Sequence, residues 1–134
     1  EGYGGGTTNH AWSGGGLTCI AQYAIGLRPL KPAFEEFVVA PNLGGLKKVD
    51  YSATTNFGKI DVHYDVNDSF FEAKIVVPHG ITGWFCVPSG FENQNPIDLI
   101  PGSAENDRIA KDIPVVQWVE LKEGENILTF PKTK

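Results

Sequence analysis

His10 and Trp12 stand two residues apart in the run Asn9-His10-Ala11-Trp12-Ser13-Gly14, with a glycine triplet on either side. An imidazole beside an indole in a glycine-flexed turn suits the lining of a sugar pocket. The indole face stacks on pyranose C–H groups while the imidazole hydrogen-bonds a hydroxyl. The same pair also suits the packing of a domain junction. Trp84 and Trp118 each lie inside an apolar run, as core residues or as a surface platform for a sugar ring. Asp61, His63 and Asp65 recur at every second position. On a strand this places them on one face about 6–7 Å apart, as a weak metal or acid–base cluster or as an ordinary solvated face. Glu35 and Glu36 are adjacent, so in an extended chain they point to opposite sides and cannot jointly flank a scissile bond.

Other chemistries are unsupported. Neither glycine triplet is followed by the Lys-Ser/Thr of a phosphate loop, so no nucleotide or other cofactor is expected. His10, His63 and His79 are scattered, and no His/Cys pair has zinc-ligand spacing, so no metal is expected. Cys19 and Cys86 sit in apolar contexts and read as two buried free thiols rather than a disulfide. Asn67-Asp68-Ser69 matches a glycosylation acceptor. A net charge of −5 without a Lys/Arg cluster excludes a nucleic-acid surface.

The elements that must position these residues change character along the chain. Residues 2–27 carry no formal charge, and Leu17 to Leu27 has only Thr18 and Gln22 as polar positions. That stretch reads as a helix, apolar on nearly every side and hence buried on nearly every side, with Ser13 as N-cap and a stop near Gly26. Its continuous apolar part of 11 residues falls short of the ~20 that a membrane span needs, and no basic region marks a signal peptide. The remaining residues are too few to wrap such a helix, so the start of the chain reads as the cut end of something larger.

Beyond Arg28-Pro29 and Lys31-Pro32 the period becomes two. Strands are expected at 37–40, 46–55, 60–66, 70–78, 81–88, 115–121 and 126–130, with turns at Gly44-Gly45, Asn56-Phe57-Gly58, Asn67-Asp68-Ser69 and Glu123-Gly124-Glu125. Residues 89–112 read as a long polar loop with one short strand. Many short strands at regular spacing specify a mainly β fold, an antiparallel β-sandwich.

Four segments together resemble one family. These are Asn9-His10-Ala11-Trp12-Ser13-Gly14, the uncharged helix through Ile25-Gly26-Leu27-Arg28-Pro29, Pro32-Ala33-Phe34-Glu35-Glu36-Phe37, and Pro41-Asn42-Leu43-Gly44-Gly45-Leu46. They resemble the C-terminal end of α-L-rhamnosidases, the inverting glycoside hydrolases of family 78. Gly58-Lys59-Ile60-Asp61-Val62 and Leu121…Gly124…Phe130 sit where that family has similar strands. The resemblance implies that residues 1–28 are the last turn and helix of a catalytic (α/α)6 barrel, and that residues 29–134 are an accessory β-sandwich of jelly-roll or Greek-key type. It implies a secreted or periplasmic parent that hydrolyses terminal α-L-rhamnosides, with this chain's partner being the upstream barrel of the same polypeptide. The paired carboxylates of that chemistry would precede Glu1, so the chain carries no catalytic residue and alone is inactive. His10 matches a histidine at the rhamnose pocket, with Trp12 beside it. Two other readings compete with a structural role. One is a carbohydrate-binding module that uses Trp84, Trp118 or the 89–112 loop. The other is a self-associating domain whose freed helix drives a homodimer.

Overall fold

The computed structural model of the chain describes residues 15–42, 44–91 and 117–133. The uncharged run begins as α1 (Gly15–Cys19) and continues as a π-helical turn, Ile20–Ile25. Gly26 ends it at φ 82°, its N–H donating to the Ala21 carbonyl. Glycine commonly closes helices in this left-handed conformation, and here a second constraint applies. A Cβ at position 26 would lie 1.9 Å from the carbonyl oxygen of Ala40. The helix therefore stops where the sequence places its stop. Within this chain Ile25 is buried, whereas Leu17, Ile20 and Tyr23 are 76%, 54% and 60% exposed, as expected where the remaining residues are too few to wrap the helix. Both cysteines are free, but Cys19 shares the exposure of α1, and only Cys86 is buried.

The proline-punctuated segment that follows is a hairpin. β1 (Leu27–Pro29) pairs antiparallel with β2 (Glu36–Val39), Leu27 opposite Val39 and Pro29 opposite Phe37. A 3-10 turn at Pro32–Phe34 joins them, with Ala33 and Phe34 at φ 56° and 65°. Left-handed backbone costs a non-glycine residue about 1–2 kcal/mol. It is held here because the N–H groups of Leu30 and Lys31 both donate to the Glu36 carbonyl, at 2.7 and 3.1 Å, and because Phe34 packs on the core.

The remaining strands are β3 (Lys48–Thr55), β4 (Gly58–Val66), β5 (Phe70–Val77), β6 (Thr82–Cys86), β7 (Trp118–Leu121) and β8 (Gly124–Pro131). They form two four-stranded sheets, β1-β2-β6-β7 and β3-β4-β5-β8. The described part of the expected 115–121 strand is β7, and residues 92–116, which hold most of the expected polar loop, lie outside the described residues. Six strand pairs are observed, and one of them, β2 with β6, is parallel. Two hairpins and two crossovers between the sheets separate β2 from β6 and return the chain to its starting direction.

Alternation decides which residues meet between the sheets. Along β4, Ile60, Val62 and Tyr64 are buried while Lys59 and Asp61 are exposed, the one-wet-face pattern read from the sequence. Phe71, Ala73, Ile75 and Val77 do the same on β5. The first sheet contributes Leu27, Phe37, Val39, Phe85 and Leu121. At the centre Phe71 lies 5.4 Å from Tyr64 and 6.0 Å from Phe85, which stacks on Phe130 at 5.8 Å, measured between ring centroids. Buried rings at such separations add about 0.5–1.5 kcal/mol per pair beyond their burial. The Tyr64 hydroxyl donates to the Ile25 carbonyl at 2.8 Å, joining the helix end to the second sheet.

Candidate functional site

The outer face of the first sheet holds both strand tryptophans. Val38, Cys86 and Trp118 form a second buried cluster there, with Leu30, Ala40 and Trp84 packed against it. Trp118 is 2% exposed. Trp84 is half-buried, and its Nε1 donates to Glu36 Oε1 at 3.0 Å. Glu36 is buried and also receives Lys31 Nζ at 2.9 Å. That hydrogen bond, followed by the charge of Glu36, holds the Lys31 ammonium above its ordinary pKa. Glu35 is exposed, so the adjacent carboxylates do lie in opposite environments. The buried Glu36 had no distinguishing signal in the sequence.

The outer face of the second sheet takes Asp61, His63 and Asp65, each opposite a partner on β3. His63 Nδ1 meets Asp50 Oδ1 at 2.5 Å, Ser52 Oγ donates to Asp61 Oδ1 at 2.5 Å, and Lys48 Nζ lies 3.2 Å from Asp65. These are directly opposed residues in the β3–β4 register. Each is thus committed to a cross-strand pair, and among the described residues no group of His, Cys, Asp or Glu is arranged to hold a metal ion. His10 and Trp12 lie outside the described residues.

A cleft of about 650 Å³ opens elsewhere, at the end of the sandwich where the Asn67–Ser69 turn joins β4 to β5. Backbone hydrogen bonds build its rim. The Val66 N–H donates to Lys47 at 2.8 Å and the Lys132 N–H to Ser69 at 2.9 Å, placing one lysine on each side of the turn. The Asn42 N–H donates to Ala24 at 3.0 Å, holding the β2–β3 crossover against the π-helical turn that carries Tyr23. Asn67 caps its own turn, Oδ1 accepting from the Ser69 and Phe70 N–H groups at 2.8 Å, which leaves the amide Nδ2 as a donor. Arg28, Cys86 and Phe91 line the interior, with Asn42, Asp68 and Ser89 as further polar lining. Lys47 and Lys132 form no ion pair among the described residues. The sequence reading missed this cleft. Its residues come from five separated segments, and the turn at its centre was visible only as a hairpin and a glycosylation acceptor.

The family profile of the bacterial α-L-rhamnosidase C-terminal domain matches residues 26–97, more than half of the chain. The chain belongs to that family. The match begins at the glycine that caps the helix and runs through β1 to β6. Two solved structures share the fold of this rhamnosidase C-terminal domain. The α-L-rhamnosidase of Dictyoglumus thermophilum is similar over 84% of this chain and 13% of its own, at 19% identity and a TM-score of 0.61. The Streptomyces avermitilis α-L-rhamnosidase complexed with L-rhamnose is similar over 82% of this chain and 10% of its own, at 12% identity and a TM-score of 0.61. The chain thus spans about an eighth or less of the length of either enzyme. No curated protein sequence matches it.

Proposed function

We propose that this sandwich serves as the structural C-terminal domain of an inverting α-L-rhamnosidase that hydrolyses terminal α-L-rhamnosides. The family match over residues 26–97 carries the reading. Inversion needs a general acid and a general base about 6.5–9.5 Å apart on opposite faces of the sugar, supplied in this reading by an upstream catalytic barrel. Among the described residues lining the cleft, Asp68 is the one carboxylate. Residues 1–28 are then the end of the barrel and 29–134 the sandwich, with β1 straddling the boundary. The exposed Leu17, Ile20 and Tyr23, spaced three apart along the helical run, supply an apolar stripe for the barrel to cover. In the intact enzyme His10 and Trp12 would line the rhamnose pocket.

The test is a titration of the chain with L-rhamnose followed by tryptophan fluorescence, beside an assay for hydrolysis of an aryl α-L-rhamnoside. A flat titration and no turnover are expected. Turnover by the chain alone overturns the structural role. A saturable response makes the domain a sugar-binding module, and Trp12→Phe, Trp84→Phe and Trp118→Phe then identify the ring involved. For the full-length enzyme the product should appear first as the β-anomer, by proton NMR.

A further inference from the structure

We infer that the surface covered by the upstream barrel runs beyond the stripe of Leu17, Ile20 and Tyr23, onto the β2–β3 crossover, with Leu46 as its far anchor. This rests on the proposed rhamnosidase reading and names where on the sandwich that partner sits. The stripe alone is too small. A whole aromatic side chain covers about 150–250 Å². Three partly exposed side chains therefore fall short of the about 800 Å² that each partner contributes to a stable interface.

Two backbone hydrogen bonds lay the crossover beside the helical run. The Ala40 N–H donates to the Gly26 carbonyl and the Asn42 N–H to the Ala24 carbonyl, both at 3.0 Å. Tyr23 and Leu46 consequently border the same opening. Leu46 is 52% exposed. Gly44 and Gly45 before it carry no side chain to cover it, and a Cβ on either would meet nothing within 4 Å. Both segments also lack charge. Residues 2–27 and 37–46 hold no Lys, Arg, Asp or Glu, in a chain that is 20% charged, and depletion of charge marks the buried centre of an interface. Four of the seven large apolar side chains exposed among the described residues lie in these two segments. Single exposed apolar residues are ordinary, whereas a contiguous group marks a contact. The occupant is the barrel, because the helical run immediately precedes the matched residues 26–97. The chain spans only 13% and 10% of the two rhamnosidases that share its fold, so most of each enzyme lies outside the matched part.

Hydroxyl-radical footprinting tests this by comparing side-chain oxidation rates in the 134-residue chain and in the full-length enzyme. Leu17, Tyr23 and Leu46 should each oxidise several-fold more slowly in the enzyme. Phe57, exposed at the β3–β4 turn and so at the opposite end of β4 from the Asn67–Ser69 turn, should keep its rate. Leu46→Asp should leave the melting temperature of the chain alone unchanged and lower that of the full-length enzyme by several degrees. Protection of Leu17 and Tyr23 without protection of Leu46 overturns the inference and leaves the rhamnosidase reading intact. Protection of none of the three overturns both. Leu46 protection that grows with the concentration of the chain alone makes the partner a second copy and overturns the inference. A full-length enzyme indifferent to Leu46→Asp does so as well.

Discussion

Replacing Gly26 with alanine should be the most damaging single-methyl change in the described backbone. The residue sits at φ 82°, where alanine loses about 1–2 kcal/mol. Its new Cβ would meet the Ala40 carbonyl oxygen at 1.9 Å, the carbonyl carbon at 2.1 Å and the amide nitrogen at 2.7 Å. All three are backbone atoms, so no rotamer change relieves the contact. The end of β2 must move, which also breaks the 3.0 Å bond from the Ala40 N–H to the Gly26 carbonyl. Overpacking costs about 1–3 kcal/mol and the lost bond about 1 kcal/mol. The total is about 4 kcal/mol, a large part of the 5–15 kcal/mol typical of a domain, or on the order of 15 °C in melting temperature. Gly124 is the control, since it shares the left-handed conformation at φ 88° but a methyl group there would meet nothing within 4 Å. Gly124→Ala should lose about 1–2 kcal/mol. Urea unfolding followed by tryptophan fluorescence gives both values. Equal losses in the two variants would refute the close-approach argument.

Gly83→Ala places a Cβ 2.7 Å from Phe37 Cζ and 3.1 Å from Leu121 Cδ1, and should lose about 1–3 kcal/mol; adding Phe37→Leu should recover part of that loss in the same urea assay. Tyr64→Phe leaves the Ile25 carbonyl without its hydroxyl donor and should cost about 1–2 kcal/mol. Burial raises the Tyr64 pKa well above the ordinary tyrosine value of 10.0, so the unfolded state ionises first. Stability should then be fully present below pH 10 and fall above it by about 1.4 kcal/mol per unit, with a shallower decline in Tyr64→Phe on alkaline melting curves. Trp84→Phe removes the indole donor to the buried Glu36 and should destabilise by about 1.5–3 kcal/mol, measured by chemical denaturation.

The strands were legible where one face is wet. β4 and β5 alternate cleanly because their outer residues face solvent, and their limits fall within two residues of those read from the sequence. The first sheet was harder, because both of its faces are buried: Val38 and Cys86 pack outward while Phe37 and Phe85 pack inward. Continuous apolar runs carry no face information. β1 was hidden for another reason, since its Leu-Arg-Pro sequence reads as a helix stop and becomes a strand only through pairing with β2. The helix was identified by composition, which marks its residues as apolar but not which of them this chain itself covers: Ile25 is buried and Leu17, Ile20 and Tyr23 are exposed. The tryptophans drew attention as sugar platforms, yet the charged cleft is assembled from residues as far apart in sequence as Tyr23 and Lys132, a juxtaposition that only the fold produces.

The parallel pairing of β2 with β6 also sets an order of assembly. Glu36 meets Thr82 and Val39 meets Phe85, partners 46 positions apart, whereas β3, β4 and β5 join through tight turns. Closing the long span loses chain entropy before any contact rewards it. The three-stranded meander is therefore expected to form early and act as the template that delivers β6 to a waiting β1–β2 hairpin. Weakening the turns at Asn56–Phe57 or Asn67–Ser69 should then slow folding of the whole sandwich, while changes in β1 should chiefly speed its unfolding.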